Sequence, residues 1–97
     1  MINIPDQTWI VEKFGESQYN IAMEECAELI QAINKHLRLY TSETEQHLIE
    51  EIADVMICLE QLQILAEIDE DDLQAMILVK DLRTRKRYGS LGGEYQN

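Results

Sequence analysis

Two pairs of acidic residues repeat the same spacing at two places in the chain. Glu25 and Glu28 form the first pair, and Glu51 and Asp54 form the second. Residues three apart are neighbours on one face of a helix. At about 100° of rotation per residue, Glu25 and Glu51 fall inside the apolar arcs of their segments, with Glu28 and Asp54 at the edges. The sequence therefore predicts two helices that each direct a carboxylate pair toward the core.

The chemistry that suits such pairs is coordination of a hard divalent cation. Buried carboxylates are costly, and four converging ones need a cation to offset their charge. Carboxylate oxygens without His or Cys among them are typical ligands of Mg²⁺ or Mn²⁺. A single i, i+3 acidic pair often arises by chance on the solvated face of a Glu-rich helix. Two pairs in the same helical phase favour a metal site.

A stripe of basic residues complements these acids near the C-terminus. Lys80, Arg83 and Arg87 follow one another at i, i+3 and i+7. Ammonium and guanidinium groups bind phosphate oxygens, so the stripe is a candidate phosphate clamp. Because Lys80 continues the apolar line of Leu73 and Met76, it is equally suited to lying along a core-facing stripe with its charge in solvent.

Other chemical motifs are missing from the sequence. It contains no G-x-x-x-x-G-K-[ST] phosphate loop and no G-x-G-x-x-G turn. His36 and His47 lack the Glu-x-x-His spacing of carboxylate di-iron bundles, and we expect both on helix surfaces. Cys26 and Cys58 form no C-x-x-C motif and are expected to be buried structural thiols.

The elements that must position these residues are helices. Apolar periodicity predicts a short helix that ends near Gly15, a long one over 17–39 and a second long one over 45–67. A polar connection over 40–44 offers capping residues. The acids from Asp69 suit the start of a further helix, which we expect to end before Gly89. The expected fold is an all-α bundle of antiparallel neighbouring helices, with one domain over 1–88 and a flexible tail over 89–97.

The composition of the chain argues against some classes of partner. The chain has 97 residues, 19 acidic against 8 basic, and a net charge of −11. Such a balance argues against polymeric nucleic acid as a partner, because that affinity depends on Lys and Arg at phosphates. The start lacks the basic and apolar regions of a signal peptide, and no segment has about 18 uninterrupted apolar residues. We therefore expect a cytoplasmic protein without a membrane partner.

The ordered set of motifs resembles one known family. Glu24–Leu29 reads EECAEL, Glu50–Val55 reads EEIADV, and Lys80–Arg83 reads KDLR. This ExxE…ExxD arrangement followed by Lys and Arg resembles the MazG-like all-α nucleoside triphosphate pyrophosphohydrolases. The resemblance extends over about residues 14–87.

The resemblance implies a helical bundle that is completed by homo-oligomerisation, as a homodimer or homotetramer. It also implies Mg²⁺-dependent hydrolysis of (d)NTPs between the α- and β-phosphates, which yields a (d)NMP and pyrophosphate. By the same analogy four acids would hold the metal: Glu25, Glu28, Glu51 and Asp54. One of these carboxylates would also help to activate the attacking water. Lys80, Arg83 and Arg87 would bind phosphates. Trp9 or Tyr19 would stack on the base, unless they are core or interface aromatics.

A second function class fits the same composition. An acidic helical oligomer without catalytic activity would bind a partner protein through its amphipathic faces. The two alternatives differ in whether the inward acids bind a metal.

Overall fold

The computed structural model describes residues 2–92, and side chains as far as residue 89. Four helices follow one another: α1 (Thr8–Phe14), α2 (Ser17–Leu39), α3 (Ser42–Leu65) and α4 (Glu70–Gly92). No strand occurs among these described residues. The expected all-α class is confirmed.

Helix α1 is short because a polar cap and a glycine bound it. The Asp6 carboxylate accepts hydrogen bonds from the backbone N–H and the hydroxyl of Thr8, at 3.0 and 2.6 Å. Gly15 follows the last turn with φ +59°, a backbone conformation that glycine adopts without strain. The expected end of the first helix near Gly15 is therefore confirmed.

A tight turn reverses the chain between α2 and α3. Tyr40 closes α2 in the left-handed conformation with φ 51°. Thr41 caps α3: its hydroxyl accepts from the Thr44 backbone N–H at 3.1 Å, and the Thr44 hydroxyl accepts from the Thr41 N–H at 2.9 Å. This reciprocal capping starts α3 at Ser42, three residues before the expected start at Glu45.

Helices α2 and α3 pack against each other in antiparallel directions. His36 near the end of α2 lies 2.8 Å from the Thr44 hydroxyl, measured from its Nδ1 atom. At the other end the Gln18 amide donates to the Gln61 Oε1 atom at 2.6 Å. The Gln61 amide in turn donates to the Gln7 Oε1 atom at 2.9 Å, which joins the start of α1 to the pair. A chain of three buried amides therefore holds the three helices together.

The apolar core of this arrangement is small. Its buried apolar residues are Ala22, Ala32, Val55 and Cys58. No large side chain among the described residues is fully buried, whereas many large apolar side chains are exposed. The expectation of a buried Cys58 is confirmed, but that for Cys26 is wrong. Cys26 is exposed on α2, where it lines a cavity together with Leu62 of α3.

Helix α4 begins and ends differently from the other helices. The Asp69 carboxylate accepts from the backbone N–H groups of Asp71 and Asp72, at 2.7 and 3.3 Å, which caps the first turn. The helix continues to Gly92, so the expected end before Gly89 is wrong. An internal glycine costs only about 1 kcal/mol of helix stability, and no proline follows to stop the helix. Residues 93–97 of the expected tail lie outside the described part.

The chain divides into two compact units, one up to Glu67 and one from Ile68. The first holds α1, α2 and α3, and the second holds α4. One domain over 1–88 with a tail over 89–97 stays a prediction. Among the described residues, no helix is long and apolar enough to cross a membrane.

Candidate metal centre

Three of the four sequence-predicted acids meet between α2 and α3. Glu25 and Glu28 stand one turn apart on α2, and Glu51 faces them from α3. One carboxylate oxygen of each lies within 4.8 Å of the others. Glu28 is exposed, Glu25 is half-buried and Glu51 is only 8% exposed. The cluster therefore opens to solvent on one side and reaches into the helix interface on the other.

Glu51 has a polar atom without a partner. Its Oε1 oxygen is buried and accepts no hydrogen bond, the only such side-chain atom among the described residues. Buried polar atoms are nearly always paired, because an unpaired one costs about 1–3 kcal/mol. A cation among the three carboxylates would give this oxygen the ligand bond that the protein does not supply. The residues present therefore fit a divalent metal ion.

The proton affinities of the cluster reflect its crowded negative charge. A hydrogen bond with Glu28, then burial, then the charges of Glu28, Asp54 and Glu51 raise the pKa of Glu25 to about 7. Burial is the largest cause that raises the pKa of Glu51, followed by the charges of Glu28 and Asp54. Carboxylates that repel one another in this way gain most from a bound cation.

Asp54 stands apart from the other three acids. It is exposed and does not belong to the group whose oxygens lie within 4.8 Å. Its negative charge nevertheless raises the pKa of Glu25 and of Glu51. The structure therefore places Asp54 beside the cluster, without bringing its carboxylate into the close group.

Cys58 lies next to the acids on the buried side. Burial is the largest cause that raises the pKa of its thiol, followed by the charges of Glu25 and Asp54. A raised pKa keeps the thiol protonated, and a neutral thiol is a poor nucleophile and metal ligand. Cys58 therefore acts as a structural neighbour of the cluster.

The predicted phosphate clamp lies on α4, in the second unit. Lys80, Arg83 and Arg87 are all exposed there. The Arg87 guanidinium lies 5.9 Å from the centre of the Tyr88 ring. A neighbouring cation, Arg85, pairs with Asp81 at 2.6 Å. The role of the clamp stays a prediction.

The two candidate stacking aromatics lie on different helices of the first unit. Trp9 is 60% exposed, and the Lys13 ammonium lies 5.6 Å from its ring centre. Tyr19 is 39% exposed and lines an apolar cavity of about 410 Å³ beside Met23 and Cys26. Their role in stacking on a base also stays a prediction.

Sequence reasoning missed one neighbour of the cluster. His47, expected to be an ordinary surface residue, is exposed but close enough for its charge to lower the pKa of Glu51. The signal was present in the spacing, since His47 precedes Glu51 by four residues and so shares its helix face.

Comparison with known proteins decides the family. The model of the MazG nucleotide pyrophosphohydrolase domain matches residues 15–86, most of the chain. The chain belongs to the MazG family. That family's description indicates a hydrolase that acts on nucleotides, and the family generally uses a divalent metal. No curated protein and no solved structure gives a further match.

The MazG match spans α2, α3 and most of α4. It includes the three clustered carboxylates, Asp54, Lys80 and Arg83, and it ends one residue before Arg87. The resemblance drawn from the sequence motifs is therefore confirmed at the level of the family.

Proposed function

We propose that the protein is a Mg²⁺-dependent nucleotide pyrophosphohydrolase that cleaves (d)NTPs between the α- and β-phosphates. The observation that carries the proposal is the unpartnered buried oxygen of Glu51, within 4.8 Å of carboxylate oxygens of Glu25 and Glu28. Membership of the MazG family supplies the reaction class.

The proposed metal ligands are Glu25, Glu28 and Glu51, with Asp54 beside them. Carboxylate oxygens without nitrogen or sulfur ligands favour Mg²⁺, with Mn²⁺ as the alternative. When bound, the ion supplies Lewis-acid chemistry, since it neutralises phosphate charge and makes a water molecule more acidic.

The reaction consists of one displacement at the α-phosphorus. A water oxygen forms a bond to this atom, and the bond to the oxygen that bridges to the β-phosphorus breaks. Pyrophosphate leaves with the electron pair, and one of the four carboxylates accepts the proton of the attacking water. Lys80, Arg83 and Arg87 are the proposed phosphate ligands, and Trp9 or Tyr19 is the proposed base-stacking residue.

The proposal includes self-association as a homodimer or homotetramer. Helix α2 carries a line of exposed apolar side chains with alternating spacings of four and three residues: Tyr19, Met23, Cys26, Ile30, Ile33 and Leu37. Helix α3 carries a similar line of exposed or half-buried ones: Ile49, Ile52, Met56 and Leu59. This spacing is typical of helices that pack along a partner helix. A second copy of the chain would cover both lines.

The proposal is tested by measuring pyrophosphate release from a panel of NTPs and dNTPs, with Mg²⁺ and with EDTA. We expect metal-dependent release with an equal amount of nucleoside monophosphate. Glu51→Gln should lower kcat/KM by about 100-fold or more, because it removes a charged ligand. The matched control is Glu50→Gln, an exposed neighbour outside the carboxylate cluster, which should retain activity.

The alternative function is a protein-interaction module without catalysis. The exposed apolar faces of α2 and α3 are the observation that favours it. It would be supported if no nucleotide released pyrophosphate and if Glu51→Gln and the parent protein responded identically to Mg²⁺.

A further inference from the structure

A basic groove runs along the α2–α3 pair beyond the carboxylate cluster. Its volume is about 420 Å³. The side chains that line it are Gln31, Asn34, Lys35, Arg38 and His47. None of them is acidic, although 19 of the 97 residues are Asp or Glu. The basic groove therefore has the donors of an anion site in an otherwise strongly acidic chain.

The two cations of the basic groove have no acidic partner. Lys35 and Arg38 are exposed, and neither forms an ion pair within the described part of the chain. Only Lys13 adds a further Lys or Arg to the first 67 residues. An ammonium and a guanidinium that stand free and side by side are suited to the charge-assisted hydrogen bonds that phosphate oxygens accept.

The basic groove begins where the carboxylate cluster ends. On α2, Gln31 follows Glu28 by three residues, and on α3, His47 precedes Glu51 by four. Each step is about one helical turn, or about 5.4 Å along the axis. A ligand anchored at the carboxylates can therefore extend into the basic groove.

We infer that the basic groove is an anion subsite that holds the outer phosphates of the nucleotide whose metal the carboxylate cluster binds. This inference rests on the proposed function and adds a subsite to it. The β- and γ-phosphates carry most of the charge of a triphosphate and depart together as pyrophosphate. Lys35 and Arg38 meet that charge from α2, while Gln31, Asn34 and His47 supply further polar contacts.

Acidic neighbours limit where the anion lies. Lys35 and His47 also line an adjoining cavity together with Glu43. The Glu43 carboxylate would repel a phosphate in this adjoining cavity. Arg38 and Gln31 line the basic groove but not this second cavity. The phosphates should therefore lie on the Arg38 side of Lys35.

The test is titration calorimetry of inorganic pyrophosphate into the protein in Mg²⁺. The test variant is Lys35→Gln/Arg38→Gln, and the control is Lys13→Gln/Lys86→Gln, which changes the net charge equally outside the groove. We expect the test variant to bind pyrophosphate about tenfold or more weakly than the parent, and the control to bind within about twofold. Steady-state kinetics should show a matching rise in KM for a nucleoside triphosphate in the test variant alone. Circular dichroism checks that both variants fold.

The other possible results distinguish a failure of the anion subsite from a failure of the proposed function. Equal pyrophosphate affinity in the test and control variants, or no binding by the parent, overturns the inference. If the parent and control hydrolyse nucleotides and the test variant has an unchanged KM and pyrophosphate affinity, only the inference falls. If pyrophosphate binds through the groove but no nucleotide is hydrolysed, the proposed function falls and the anion subsite stands.

Discussion

Glu25 and Glu51 are carboxylates whose pKa values lie above those of ordinary surface acids. A hydrogen bond with Glu28 is the largest cause that raises the pKa of Glu25, and burial is the largest cause for Glu51. The negative charges of Glu28 and Asp54 raise both pKa values further. Clustered acids of this kind reduce the stability of a metal-free protein and favour the form with a bound cation. The same side chains thus weaken the fold and create the affinity for metal.

The stability of the metal-free protein should fall as pH rises from about pH 5 to about pH 8. Glu25 has a pKa of about 7 in the folded protein and an ordinary value of 4.5 when unfolded, so the folded state binds more protons between these values. Stability is then lost as pH rises through that range. Thermal unfolding in EDTA across the range measures the effect.

Two comparisons make this pH test specific. Glu25→Gln should flatten the pH dependence, whereas Glu24→Gln, an exposed neighbour, should not. Added Mg²⁺ should raise the unfolding temperature of the parent more at high pH than at low pH, because binding requires a deprotonated Glu25. A parent protein whose unfolding temperature rises steadily over this range in EDTA would contradict the prediction.

The helices α1, α2 and α3 are held in register by polar contacts as much as by apolar packing. The amides of Gln7, Gln18 and Gln61 are buried and hydrogen-bonded in series, with Gln61 in the middle. At the opposite end of the pair, the Thr41–Thr44 capping box and His36 set the turn. Because the carboxylate cluster lies between these two ends, both determine whether Glu51 faces Glu25.

Gln61→Ala should destabilise the protein by about 1–3 kcal/mol, because it leaves the buried amides of Gln7 and Gln18 without their partner. Urea unfolding in EDTA measures the change in the free energy of unfolding. Gln46→Ala removes an exposed amide from the same helix and should change it little. Equal stabilities for the two variants would show that the amide chain does not hold the helices.

The molecule as a whole exposes more apolar side chain than its small core buries. Ile30 is 60% exposed and Met23 is 63% exposed, both on the apolar line of α2. A contiguous apolar surface of this kind marks a site of association. The proposed partner copy would extend the core of this short chain and so stabilise it.

Ile30→Glu should shift the protein toward smaller species in analytical ultracentrifugation, because an unpaired carboxylate buried between copies is costly. Asn20→Glu adds the same charge at an exposed position outside the apolar line and should leave the association state unchanged. If the parent sediments as a monomer at all concentrations, the proposed homo-oligomer is wrong.

The sequence by itself determined the helices, the phase of the acidic pairs and the family. Helical periodicity is a local property, so the wheel position of Glu25 or Glu51 follows from its neighbours in the chain. The apolar pattern also predicted α2 with its exact bounds. The residue that caps α3 was harder to predict than the helix itself. The choice among the polar residues of 40–44 depends on which hydroxyl reaches which backbone N–H.

Only the tertiary structure decided which side of each helix is covered. Cys26 and Cys58 lie in similar apolar patterns, yet Cys26 is exposed and Cys58 is buried. The register of the two helices likewise decided that Glu51 joins Glu25 and Glu28 while Asp54 stays outside the close group. These outcomes depend on contacts between residues distant in the chain, such as Gln18 with Gln61, which local periodicity does not encode.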